Sequence, residues 1–237
     1  MNYSWDWSLL LEPPYDGWLI SGLALTVALS MVSWLFALPL GMVVGVGRVS
    51  ASRLWSRLAL FYISVFRNIP LLLQMFVWFF VFPEVLPDSL GLWFKRDLPD
   101  PEFWTAAIAL TFYTSGRLGE LFRAGIDAVP KGQAMAAAAC GMRPAQVLRH
   151  VVVPQALRII APPLASEFLS IVKNSSLALT IGVLEITAQS REIENFTFHG
   201  FEAFGSATLF YVLVALMLNA VSVQLQRRLI ADVRGGR

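Results

Sequence analysis

The stretch between Asp16 and Arg48 runs for 31 residues without one charged side chain. A helix needs about 20 mainly apolar residues to cross a bilayer, so this run spans one with length left for tilt or a kink at Pro39. A second clean run, 24 residues, lies between Glu202 and Arg227. The rest of the chain agrees. Of its 237 residues 57% are hydrophobic and 14% charged, against roughly 45–50% and about 25% in soluble domains, and the mean hydropathy is +0.63. A soluble domain of this size cannot hide so much apolar surface, and the chain reads as an all-α integral membrane protein.

Three middle segments reach spanning length only by taking charges with them. Leu58 to Phe82 is apolar apart from Arg67 and Asn68, Phe103 to Gly116 ends at Arg117, and Ile159 to Gly182 contains Glu167 and Lys173. Five transmembrane helices are therefore expected, at about 18–47, 58–82, 103–123, 157–182 and 203–226, within a membrane domain over 18–232. Residues 1–17 form a tail; with Asp6, Glu12 and Asp16 and no Lys or Arg before Arg48, it does not read as a signal peptide.

The charges outside the spans are sorted by sign. Arg48, Arg53 and Arg57 lie between the first two spans, Arg123, Lys131, Arg143, Arg149 and Arg158 between the third and fourth, and Arg227, Arg228, Arg234 and Arg237 after the fifth. These are 12 of the 18 basic residues, and all fall on one side. The opposite side has Lys95, Arg96 and Arg191 with 12 of the 16 acids. Basic residues mark the cytoplasmic face, so the N-terminus is expected in the periplasm and the C-terminus in the cytoplasm.

Several chemistries have no support. The single Cys140 cannot form an intrachain disulfide, and a net charge of +2 does not imply nucleic acid. No phosphate-binding loop of Walker type exists, and Gly45-Val46-Gly47 sits at the end of a membrane helix, not after a strand. His150 and His199 fall on opposite sides, without neighbouring ligands, so neither a metal nor a cofactor is expected. No catalytic set suggests itself, and the chain reads as a conduit or a scaffold, not an enzyme.

The loop after the third span is too apolar for a plain linker. Pro130 can open a helix, five alanines lie within Ala134–Cys140, and Gly141 and Pro144 stop it. The product is a short helix with a small-residue face, suited either to its own bundle or to the close approach of another protein. Ala136, Ala137, Gly141, Val151 and Pro154 then resemble the EAA-loop signature of ABC-importer membrane subunits. Met135 stands where that family has Glu, and Val153 where it has Leu.

A second resemblance narrows the family. Phe66-Arg67-Asn68-Ile69-Pro70-Leu71-Leu72-Leu73-Gln74 is similar to the F-R-x-x-P-L-L-x-Q segment of polar amino-acid permeases. Arg123-Ala124-Gly125-Ile126, Val129-Pro130-Lys131-Gly132-Gln133 and Val172-Lys173-Asn174-Ser175-Ser176-Leu177 resemble further segments of the same family, in the same order. Trp5-Asp6-Trp7 and the insert Leu92-Trp93-Phe94-Lys95 resemble its glutamate/aspartate branch. The resemblance implies a type I ABC-importer transmembrane domain in a bacterial inner membrane, with ATP hydrolysis on another subunit. It implies a second permease subunit (a homologous chain or a second copy), two ATP-binding subunits and a periplasmic amino-acid-binding protein. The loop over about 130–154 becomes a coupling loop, with Gln133, Ala136, Ala137, Gly141 and Pro154 as its coupling residues. The implied substrate is glutamate or aspartate, or another polar amino acid.

Charges within the spans are functional candidates, because a charge in lipid costs a few kcal/mol unless it faces protein or water. Arg67, Arg117, Glu120, Glu167 and Lys173 qualify, and with Asn68, Gln74, Asn174 and Ser175 they make the candidate substrate path. Glu120 is three residues from both Arg117 and Arg123, so it can neutralise its own helix. Glu167 and Lys173, six apart, cannot pair along one helix and need other partners. These charges also leave room for an ATPase-independent transporter or channel, and a membrane scaffold is a third reading. The transporter or channel reading leaves the small-residue loop unexplained.

Overall fold

A computed structural model describes the backbone of residues 3–235 and the side chains of residues 3–224. The basic residues Arg227, Arg228, Arg234 and Arg237, and the last two positions of the fifth expected span, lie outside the described side chains. Among the described residues there are helices and no strands. A short 3-10 turn, Ser8–Leu11, precedes α1 (Tyr15–Arg48) and α2 (Arg53–Asn68). Next come α3 (Leu71–Phe76), which runs through a π-helical turn into α4 (Phe82–Val85), and α5 (Asp88–Leu92) with a π-helical end. Then follow α6 (Pro101–Asp127), α7 (Lys131–Ala139), α8 (Pro144–Val147) and α9 (Val153–Asn174). A 3-10 stretch Ser175–Ile181 leads to α10 (Ile186–Thr197) and α11 (Gly200–Gly235).

Two helices, Tyr15–Arg48 and Gly200–Gln224, are by themselves long and apolar enough to cross a membrane. α1 runs through Pro39 unbroken. The segment expected as one span over 58–82 is instead two helices. Pro70 has no amide to donate and forces the preceding residue out of the helical region, and Ile69 is extended at φ −79° and ψ 128°.

The chain divides into two compact units, each assembled from three segments. The first contains Met1–Leu35, Pro70–Thr111 and Leu169–Met217, the second Phe36–Ile69, Phe112–Phe168 and Leu218–Arg237. The division sorts the charges: all 12 acids of the expected outer side belong to the first unit, and the 11 described basic residues of the expected inner side to the second.

In the first unit Leu10, Leu19, Ile193 and Ala203 form a core, with Tyr15, Trp18 and Phe210 packed against it. Two acids of the expected outer side are buried here. Glu185 caps α10, accepting from the Ala188 amide at 2.9 Å, and also accepts the Tyr211 hydroxyl at 2.9 Å. Glu202 accepts the Tyr3 hydroxyl and, at 2.8 Å, the Asp6 amide, which straps the tail to the start of α11. By sign alone both carboxylates read as loop charges, yet each satisfies backbone and hydroxyl donors that burial would otherwise orphan.

In the second unit α1 and α6 approach closely. A Cβ added at Gly41 would lie 2.5 Å from Leu118 Cβ, and one at Gly45 2.5 Å from Phe122 Cβ. Glycines four apart leave one face of a membrane helix without side chains, so dispersion contacts form backbone to backbone. Val44, Ala59 and Ile63 complete that contact.

Candidate functional site

The expected loop helix is present. Pro130 precedes α7, whose alanines carry it to Ala139. Gly141 then takes φ +84°, a left-handed conformation that glycine reaches without a Cβ clash, and the Met142 amide returns to the Ala137 carbonyl at 3.3 Å. Gln146 Oε1 accepts the Arg143 amide at 2.8 Å and starts α8. Gln133, Ala136, Gly141 and Pro154 are exposed. Ala137 is not: it packs in a cluster with Val129, Val147, Val152 and Ala156. The small-residue face is therefore divided, Ala137 holding the loop to its own unit and Ala136 pointing away from that cluster. Beside it lies an apolar groove of about 870 Å³ lined by Val46, Val49, Ile126, Met135, Ala138 and Met142 among others.

Three of the five charges within the expected spans, Arg117, Glu120 and Glu167, are in ion pairs. Arg117 on α6 grips Glu167 on α9 with two bonds, Nε to Oε2 and Nη2 to Oε1, each 2.8 Å. Glu120 pairs with Arg123, not Arg117, at 2.9 and 2.6 Å, and Arg123 also holds Asp127 at 2.5 Å. Among the described residues neither Arg67 nor Lys173 is in an ion pair. Arg67, Asn68 and Glu120 share a cleft of about 360 Å³ in the second unit. Lys173, Asn174, Ser175 and Gln74 belong to the first unit. Lys173 is exposed and Asn174 half-buried. Ser175 is fully buried and its hydroxyl donates to the Val172 carbonyl at 2.7 Å, where α9 tightens into a 3-10 stretch. Gln74 is buried on α3.

Sequence reasoning missed the polar network around Glu185, to which the Thr26 hydroxyl also donates, at 3.5 Å. Thr26 Oγ1 further accepts the Ile186 amide at 3.2 Å. The available signal was Ser21, Thr26, Ser30 and Ser33 inside an otherwise apolar span, since hydroxyls there point to a protein-facing side.

Residues 37–235 match the family described as the binding-protein-dependent transport system inner membrane component. The chain belongs to this family. It is 37% identical to the glutamate/aspartate import permease protein GltJ of Escherichia coli K12, covering 96% of each chain. It is 31% identical to the arginine transport system permease protein ArtQ of Bacillus subtilis 168, covering 91% of this chain and 94% of that one. The crystal structure of an amino acid ABC transporter with histidines superposes with a TM-score of 0.81 at 28% identity, over 95% of this chain and all of that one. This inner-membrane component thus has the type I ABC-importer permease fold and is a permease subunit of the amino-acid class. Its relatives are transport subunits, not enzymes, and the fold implies ATP-binding subunits and a partner permease.

Proposed function

We propose that this permease imports glutamate and aspartate, handed over by a periplasmic binding protein, and supplies half of the translocation path. The observation that carries the reading is the ion-pair pattern. Glu167 neutralises Arg117, and Glu120 with Asp127 neutralises Arg123, which leaves Arg67 and Lys173 as cations without an ion pair among the described residues. A substrate with two carboxylates and one ammonium needs a path with a surplus of cations. A permease for cationic amino acids calls for the opposite surplus. The 37% identity to a glutamate/aspartate permease supports the same choice. The proposed path residues are Arg67, Asn68, Gln74, Arg117, Glu120, Glu167, Lys173, Asn174 and Ser175.

The proposed topology has five spans, an outer N-terminal tail over 1–17 and an inner C-terminus, supported by the charge bias. The coupling loop over 130–154 transmits closure of the ATPase dimer to the membrane domain through Gln133, Ala136, Ala137, Gly141 and Pro154, and the path alternates its access. Competition of labelled glutamate uptake by a panel of amino acids tests the substrate. Aspartate should compete strongly and arginine or glutamine weakly; strong competition by arginine alone rejects the acidic reading. Lys173→Met tests the path: glutamate uptake should fall sharply with the complex still assembled.

A further inference from the structure

The cleft at the ends of α1, α2 and α6 carries a charge pattern that the coupling loop and Lys173 leave unexplained. Arg48, Ser64, Arg67, Asn68, Glu120 and Arg123 line about 360 Å³, with Leu60 and Ile63 as its apolar wall. Arg123 is committed to Glu120 and Asp127. Arg48 Nη1 donates to Ser56 Oγ at 3.1 Å, but its buried Nε has no partner among the described residues. Arg67 has no ion pair there either. Glu120 receives both Arg123 bonds on Oε1, so Oε2 keeps its acceptor capacity. The cleft therefore offers the guanidinium of Arg67, the Nη2 that Ser56 leaves to Arg48, and one carboxylate oxygen. An acidic amino acid carries the complement, two carboxylates and one ammonium.

We infer that this cleft is a binding site for an acidic amino acid within the proposed path, on the side that the basic loops mark as cytoplasmic. One carboxylate lies against Arg48, the other against Arg67, and the ammonium against Glu120, with Ser64 and Asn68 as hydroxyl and amide partners. Guanidinium forks suit carboxylates because two parallel N–H bonds meet two oxygens. The inference rests on the acidic-substrate reading above, because among amino acids only an acidic one brings a carboxylate to each of Arg48 and Arg67. An anionic lipid headgroup offers the same anion chemistry through its phosphate, and the experiment separates the two.

The test is a calorimetric titration of the whole importer complex, purified without its binding protein, in nanodiscs of zwitterionic lipid. Glutamate should bind, and glutamine, lacking the second carboxylate, should bind about tenfold more weakly or less. Arg67→Gln should weaken glutamate by at least about tenfold, while Arg67→Lys retains part of the binding and Arg53→Gln, exposed and outside the cleft, most of it. If Arg67→Gln does not retain its ATPase subunits, Arg48→Gln replaces it with the same expectation. No glutamate binding in the wild type, equal titrations of wild type and Arg67→Gln, or loss in Arg53→Gln alone each overturns the site. If phosphatidylglycerol in the nanodisc abolishes glutamate binding, and Arg67→Gln releases that lipid, the occupant is a lipid phosphate and the amino-acid assignment is overturned. Uptake competition keeps the two failures apart. An importer that does not carry acidic amino acids removes the substrate reading, whereas intact glutamate uptake with unchanged titrations removes only the cleft.

Discussion

Arg117 and Glu167 meet fork to fork, two 2.8 Å bonds joining α6 to α9. Their side chains are 38% and 18% exposed, so the pair is neither free in water nor sealed in the core. Removing one partner leaves the other charge poorly solvated. Arg117→Met or Glu167→Gln should each cost about 1–2 kcal/mol of stability in detergent. The double variant should cost less than the sum, because no orphan charge remains. Thermal unfolding of the four proteins measures it, and strict additivity would mean the bonds contribute nothing of their own.

The close approach of α1 and α6 predicts a steep size dependence. Gly41→Val puts branched carbon where a Cβ is already 2.5 Å from Leu118 Cβ. It should lose about 1–3 kcal/mol by overpacking, and folded yield should fall with it. Gly17→Ala, with nothing within 4 Å of the added Cβ, should stay within about 0.5 kcal/mol. Equal thermal midpoints for both variants would reject the contact.

The divided face of α7 separates two effects. Ala137→Asp buries a charge among Val129, Val147 and Val152 and should destabilise the permease itself. Ala136→Arg places bulk on an exposed position and should leave the fold intact while uptake and retention of the ATPase subunit fail. Thermal midpoint and co-purification, measured on both, distinguish them. An Ala136→Arg protein that keeps its ATPase and transports normally rejects the coupling role.

The N-terminal tail has a pH dependence of known sign. Asp6 Oδ1 accepts the Ser8 hydroxyl at 2.5 Å and the Ser8 and Leu9 amides at 3.1 and 3.3 Å. The Ser8 hydroxyl bond does most to lower its carboxyl below the ordinary 3.8, against the opposing effect of desolvation; the two amides and the charge of His199 add to the lowering. A lowered native value means the stabilisation is complete above 3.8 and is lost as pH falls through that lower value. Fluorescence of Trp5 and Trp7 between about pH 5 and about pH 2 should report the turn opening, with a shallower profile for Asp6→Asn. Superimposable profiles would show that this cap is not what titrates.

What the amino-acid order determined is what depends on near neighbours. The uncharged runs of α1 and α11 mark membrane helices because desolvating a charge is costly wherever the helix goes. Pro130, the alanines and Gly141 delimit α7 because a helix start, its propensity and its left-handed stop are all set within one or two turns. Pro70 interrupts its helix for a reason contained in the Ile69–Pro70 peptide. The tertiary structure decided every choice between equivalent partners. Glu120 is three residues from two arginines, and only the arrival of Glu167 beside Arg117 assigns it to Arg123. Ala136 and Ala137 are chemically identical, and the position of Val147 and Val152 makes one inward and one exposed. Glu185 and Glu202 look like loop acids until Tyr211, Tyr3 and the Asp6 amide, 26 to 199 positions away, close over them. A carboxylate carries its charge in any context. Whether that charge faces water or a buried hydroxyl depends on residues brought close only by folding.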